Sequence, residues 1–124
     1  EKLIAFVKQH AKCPVIVSGR GNNFVYVDTE ADLDMALSVI INAKASKISA
    51  CNALDKVLIN SNLVNKEVFI KLLIDKLLEH KVQILGDAEL SKFENVFKFS
   101  YNLFAIEKII CIFAHDFSEA FSNH

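Results

Sequence analysis

Tryptophan is absent from this chain of 124 residues, and glycine is limited to three, cysteine to three, and proline and methionine to one each. So little Gly and Pro excludes a linker or a low-complexity segment. Cys13, Cys51 and Cys111 are odd in number and form no C-x-x-C pair. A disulfide framework and a zinc ribbon are therefore excluded, and a reducing, cytoplasmic setting is expected. No apolar run approaches the roughly 18 residues of a membrane-spanning helix, and no signal-peptide pattern opens the sequence. With 14 basic against 15 acidic residues, scattered rather than clustered, the chain lacks the basic face that nucleic acid requires. His10, His80, His115 and His124 share no ligand spacing, so no metal site is expected. His80, near a helix end, suits the helix dipole instead.

What is present is apolar: 52% hydrophobic residues, ten of them Phe, enough for the packed core of one modest domain. "EKLIAFVKQHAK" reads as a helix with Leu3, Ile4, Phe6 and Val7 on one side. "CPVIVSG", begun by Pro14 and ended by Gly19, reads as a buried strand, and "GRGNN" as a tight turn. "GRGNN" lacks the spacing and the Lys-Ser/Thr of a phosphate loop. "FVYVD" is a second strand. Thr29 or Asp32 can cap the next helix, where Leu33, Ala36, Leu37, Ile40 and Ile41 share one face. "KVLIN" is a strand. Residues 63–81 form the clearest helix, with Val68, Phe69, Leu72, Leu73, Leu77 and Leu78 expected inside. "VQILG" and "EKIICIFA" are strands, and residues 88–104 fit either period.

Strands that alternate with helices predict an α/β fold: a mostly parallel sheet with helices on both faces. The sequence opens at Glu1 without Met or a helix cap, and closes on a helix start at Asp116 with Glu119 three residues on. It reads as a piece of a longer chain. Cys51, between a helix end and a strand, is on residues alone either small apolar filler or a nucleophile. Its loop is of the kind on which α/β proteins keep reactive groups. Cys111, within "IICIF", reads as core filler, and Cys13 sits at an element end.

Several blocks carry more than periodicity. Pro14-Val15-Ile16, Gly19-x-Gly21-Asn22, Val25-Tyr26-Val27-Asp28, Ala31-Asp32-Leu33-Asp34, Asn42-Ala43-Lys44 and Cys51-Asn52-Ala53 resemble, in order and spacing, the gamma-glutamyl phosphate reductases. That family lies within the aldehyde dehydrogenase superfamily. The resemblance runs from residue 1 to about 90 and is weak in the last 34 residues. It implies an aldehyde-dehydrogenase-like catalytic domain truncated at both ends. Residues 1–17 would close a preceding segment (helix and strand), and 18–124 would form the catalytic fragment with the cysteine loop. It implies reduction of L-glutamyl 5-phosphate to the semialdehyde with NADPH, in proline biosynthesis, through a thioester on Cys51.

Lys47 would lie near the substrate's anionic end, and Asn52 and Asn42 would contact substrate. NADPH would be held mainly by residues before Glu1, because no G-x-G-x-x-G follows a strand, and the fragment alone would be inactive. The implied partner is a small acyl phosphate rather than nucleic acid or membrane, with self-association left open. Ser18 stands where hydrolytic aldehyde dehydrogenases keep a glutamate base, which favours acyl-phosphate reduction over aldehyde oxidation.

The chain departs from the family at three places. Ala45-Ser46-Lys47-Ile48 replaces Thr-Gln-Arg-Pro, so an Arg fork becomes a point charge. Asn23-Phe24 replaces Cys-His, and Asp55 replaces a Glu. These changes motivate the alternative, a non-catalytic α/β assembly domain of a divergent aldehyde-dehydrogenase-like protein.

Overall fold

A computed structural model describes residues 2–18, 21–47, 50–98 and 109–115. Helix α1 (Lys2–His10) comes first, then strand β1 (Asn23–Val27), helix α2 (Leu33–Ala45) and strand β2 (Leu54–Asn60). Helix α3 (Lys66–Glu79) leads to β3 (Gln83–Gly86), and a short 3-10 turn (Leu90–Lys92) to β4 (Val96–Lys98). β5 (Ile109–His115) closes the series. The five strands form one sheet in the order β1-β2-β5-β3-β4, and every described pairing is parallel. The predicted parallel α/β sheet is therefore present, but the expected helices on both faces are not what α2 and α3 show: they pack against each other on one face.

α2 joins neighbours β1 and β2, while α3 carries the chain from β2 past one position to β3, leaving the slot that β5 fills. Both crossovers run in the same direction along the sheet, and since such connections are right-handed as a rule, α2 and α3 share one face, where they touch. Val27, Val57, Ile59, Ile84, Ile110 and Ile112 meet Ile40, Phe69, Leu73 and Leu77 in one core. On the other face a cross-strand row runs Phe24, Lys56, Cys111, Leu85, Phe97. Cys111 is 7% exposed in that row, the packing position expected of it.

Asp32 caps α2: its backbone is extended and its carboxylate accepts from Met35 N–H at 3.0 Å. α3 ends in a Schellman motif, with Val82 N–H donating to the Leu77 carbonyl at 3.0 Å and Lys81 N–H to that of Leu78 at 2.8 Å. Lys81 supplies the left-handed residue at φ 58°, where glycine is usual.

Two further expectations fail. Residues 14–18 form no strand among the described residues, and Ile16 is 99% exposed. An apolar run flanked by Pro and Gly satisfies the strand pattern, but only a partner strand makes a ladder. In α3 the inward set is Phe69, Ile70, Leu73, Ile74 and Leu77, whereas Val68 (69%), Leu72 (42%) and Leu78 (36%) are exposed. Stripes on either side of the 69-73-77 line fit the helical period equally, and packing against α2 and β3 selects the second. The ambiguous stretch resolves into the 3-10 turn and β4 as far as residue 98. The expected helix from Asp116 lies outside the described residues.

Candidate active site

The stretch from Ser46 to Ala53 joins α2 to β2, with Ile48 and Ser49 outside the described residues. Along it Ala50 N–H donates to the Lys47 carbonyl at 3.3 Å, and Ala53 N–H to that of Ala50 at 3.0 Å, which closes a turn over residues 50–53. Cys51, Asn52 and Lys47 are all exposed on it. A loop from helix to strand lies at the amino ends of parallel strands. The cysteine is thus on the edge opposite the crevice where open α/β sheets usually bind ligands.

The loop is held from below by α2. Lys44 continues the apolar stripe one turn past Ile40, so its side chain enters the core and is 2% exposed. Its ammonium donates to the Leu54 carbonyl at 2.9 Å, bridging the two ends of the connection. Burial pushes the Lys44 pKa down, and Asp55 partly opposes that.

From the side the loop is held by the turn before β1. A side chain at Gly21 would overlap the Cys51 carbonyl oxygen, so only glycine permits this approach. The Asn23 side-chain amide donates to the carbonyls of Cys51 at 2.8 Å and Ala53 at 3.0 Å. Asn23 N–H donates to the Asp55 carboxylate at 3.1 Å. Lys56 Nζ reaches the Asn22 side-chain oxygen and lies 4.9 Å over the Phe24 ring. The "GRGNN" segment thus acts, over its described part, as a buttress for the cysteine loop.

Of the residues singled out from sequence, Cys51, Asn52 and Lys47 share this loop. Asn42 stands apart. Its Oδ1 accepts from Ser46 Oγ at 2.6 Å, and it lines a cleft between the ends of α2 and α3 with Lys76 and His80. Gly21, Asn23 and Lys44 were not marked for the site by sequence reasoning. Lys44 carried a usable signal, a charge on an otherwise apolar helical stripe.

At the opposite, carboxyl edge, Asn60 donates to Tyr26 OH and to the Asp28 carboxylate, both at 2.9 Å. The Thr29 N–H, and after it the Asn60 amide, hold the Asp28 carboxyl below its ordinary range. These bonds tie β1 to β2. Among the described residues no group of three or more His, Cys, Asp or Glu is placed to hold a metal ion. Nor is any described helix long and apolar enough to cross a membrane.

No family model matches the chain. It is similar to a gamma-glutamyl phosphate reductase of Agathobacter rectalis, 48% identical over 85 residues, which is 68% of this chain and 20% of that protein. The same enzyme of Dictyoglomus thermophilum is 42% identical over the same extent, and that of Clostridium botulinum 44% over 90 residues, 73% of this chain and 21% of the relative. The crystal structure of gamma-glutamyl phosphate reductase from Thermotoga maritima superposes with a TM-score of 0.79 at 31% identity. That match covers 96% of this chain and 30% of that one. The chain spans about a fifth of the length of the curated relatives it matches.

Proposed function

We propose that this chain, homologous over most of its length to part of the gamma-glutamyl phosphate reductases, supplies the nucleophile of an acyl-phosphate reductase. The overall reaction is conversion of L-glutamyl 5-phosphate to glutamate 5-semialdehyde, a step of proline biosynthesis, with NADPH as the reductant. This chain's part is the acylation step. The Cys51 thiolate attacks the acyl carbon, a C–S bond forms, the bond from carbon to the phosphate oxygen breaks, and phosphate leaves with that electron pair. Lys47 stands on the same loop as a cation for the substrate's anionic end, and Asn52 with neighbouring amides faces the acyl oxygen.

The carrying observation is the exposure of Cys51 on a loop pinned by Gly21, Asn23 and Lys44, while Cys111 is buried. The described residues do not fit a dinucleotide cradle. The strand-to-helix turn at 28–32 has no glycine and carries Asp28, Glu30 and Asp32, which would repel a pyrophosphate. The reducing step is accordingly assigned to no residue of this chain.

Limiting iodoacetamide at about pH 7, applied to the full-length protein and mapped by mass spectrometry, tests the reading. Cys51 is expected to be labelled first and Cys111 last. Labelling confined to Cys13, or equal slow labelling of all three, would reject Cys51 as the nucleophile.

A further inference from the structure

The bond from Asn23 to the Cys51 carbonyl fixes more than the loop's position. A trans peptide directs its C=O and N–H in opposite senses, and the described backbone has no cis peptide bond. The Cys51 carbonyl faces β1, where the Asn23 amide donates to it at 2.8 Å and Gly21 leaves room for it. The Asn52 N–H of the same peptide must therefore point away from that turn. It makes no hydrogen bond to any described residue. The second amide hydrogen of Asn23 goes to the Ala53 carbonyl at 3.0 Å and its backbone N–H to Asp55 at 3.1 Å, so the amide has no freedom to turn away.

We infer that Asn23 is a positioning residue: by pinning the Cys51 carbonyl it aims the Asn52 N–H at the oxygen of an acyl group attacked by Cys51. The inference rests on the acylation reading above and adds to it the donor for the developing oxyanion and the side chain that orients it. An oxyanion forms when a thiolate adds to an acyl phosphate, and a donor fixed in advance stabilises it without reorganisation. No oxyanion forms when the same thiolate displaces iodide from iodoacetamide. The two reactions therefore separate the aim of the amide from the state of the thiol.

The test uses the full-length protein and its Asn23→Asp and Asn23→Ala variants. Asn23→Asp keeps the shape, removes both donors and sets a carboxylate against two carbonyls; Asn23→Ala removes the donors without that repulsion. For each, the rate of acylation of Cys51 by acetyl phosphate and the rate of its alkylation by iodoacetamide are measured by intact mass, with thermal melts to confirm folding. Expected is a fall in acylation of roughly ten- to a hundred-fold, since loss of one oxyanion donor costs on the order of a hundred- to a thousand-fold, with alkylation nearly unchanged. Equal slowing of both reactions, or slowing of neither, overturns the role of Asn23 and leaves the acylation reading standing. A parent protein that acetyl phosphate does not acylate overturns both.

Discussion

Cys111 lies in the central strand with 7% of its surface exposed, and burial pushes its thiol pKa up, away from the thiolate that reacts. The nearby ammonium groups of Lys56 and Lys44 pull the other way without cancelling that effect. Cys51 has the same side chain on an exposed loop. At this scale chemistry is decided by which backbone the residue sits on.

Lys44 makes the opposite case, a charge kept inside because its one described hydrogen bond closes the base of the cysteine loop. Since burial lowers its pKa from the ordinary 10.5, the folded chain holds that proton less tightly than the unfolded chain. Below the folded value both states are charged, and the folded one bears the full desolvation cost. As pH rises from the folded value towards 10.5 the folded state sheds its proton first, and stability increases. Urea unfolding across that window is expected to show the parent gaining stability relative to Lys44→Met. Parallel profiles for the two proteins would contradict a charged, buried Lys44.

Elements show where local chemistry and packing agree. α2 was legible because Asp32, the apolar stripe and the following loop all specify the same helix. α3 was legible in extent but not in rotation, because its Leu-, Ile- and Val-rich sequence offers two adjacent apolar stripes and only tertiary contact separates them. The run at 14–18 misled because an apolar sequence cannot announce whether a partner strand exists. The C-terminus of α3 holds a mismatch: Lys81 occupies a left-handed position at φ 58° in a Schellman motif. A Cβ in that conformation costs roughly 1–2 kcal/mol that glycine does not bear. Lys81→Gly is therefore expected to raise stability by roughly 0.5–1 kcal/mol in denaturant melts, less than the full strain because glycine also loses more backbone entropy. Destabilisation by that change would mean the Lys81 side chain contributes more than its strain removes.

For the whole molecule, the sheet order places β5, the last of the described strands in sequence, between β2 and β3. Nothing in periodicity foretold that insertion, because strand order depends on crossover handedness and on contacts far apart in sequence. The amino edge of this sheet carries Cys51, Asn52 and Lys47, and at the carboxyl edge the Asn60, Tyr26 and Asp28 bonds tie β1 to β2. The place of Cys51 on a loop between a helix and a strand was legible from the elements on either side of it. Its supports were not, because a clamp between Asn23 and Cys51 joins residues 28 positions apart and leaves no local pattern.

The most direct measurement is the acyl adduct itself. The full-length protein, with Cys51→Ser and Cys13→Ser variants, would be exposed briefly to an acyl phosphate, quenched in acid, and analysed by peptide mass mapping alongside phosphate release. Acylation at Cys51 predicts one hydroxylamine-sensitive acyl group per chain there, phosphate released with it, loss of both in Cys51→Ser and neither lost in Cys13→Ser. Phosphate released at the uncatalysed rate, or an acyl group divided between Cys13 and Cys51, would contradict it.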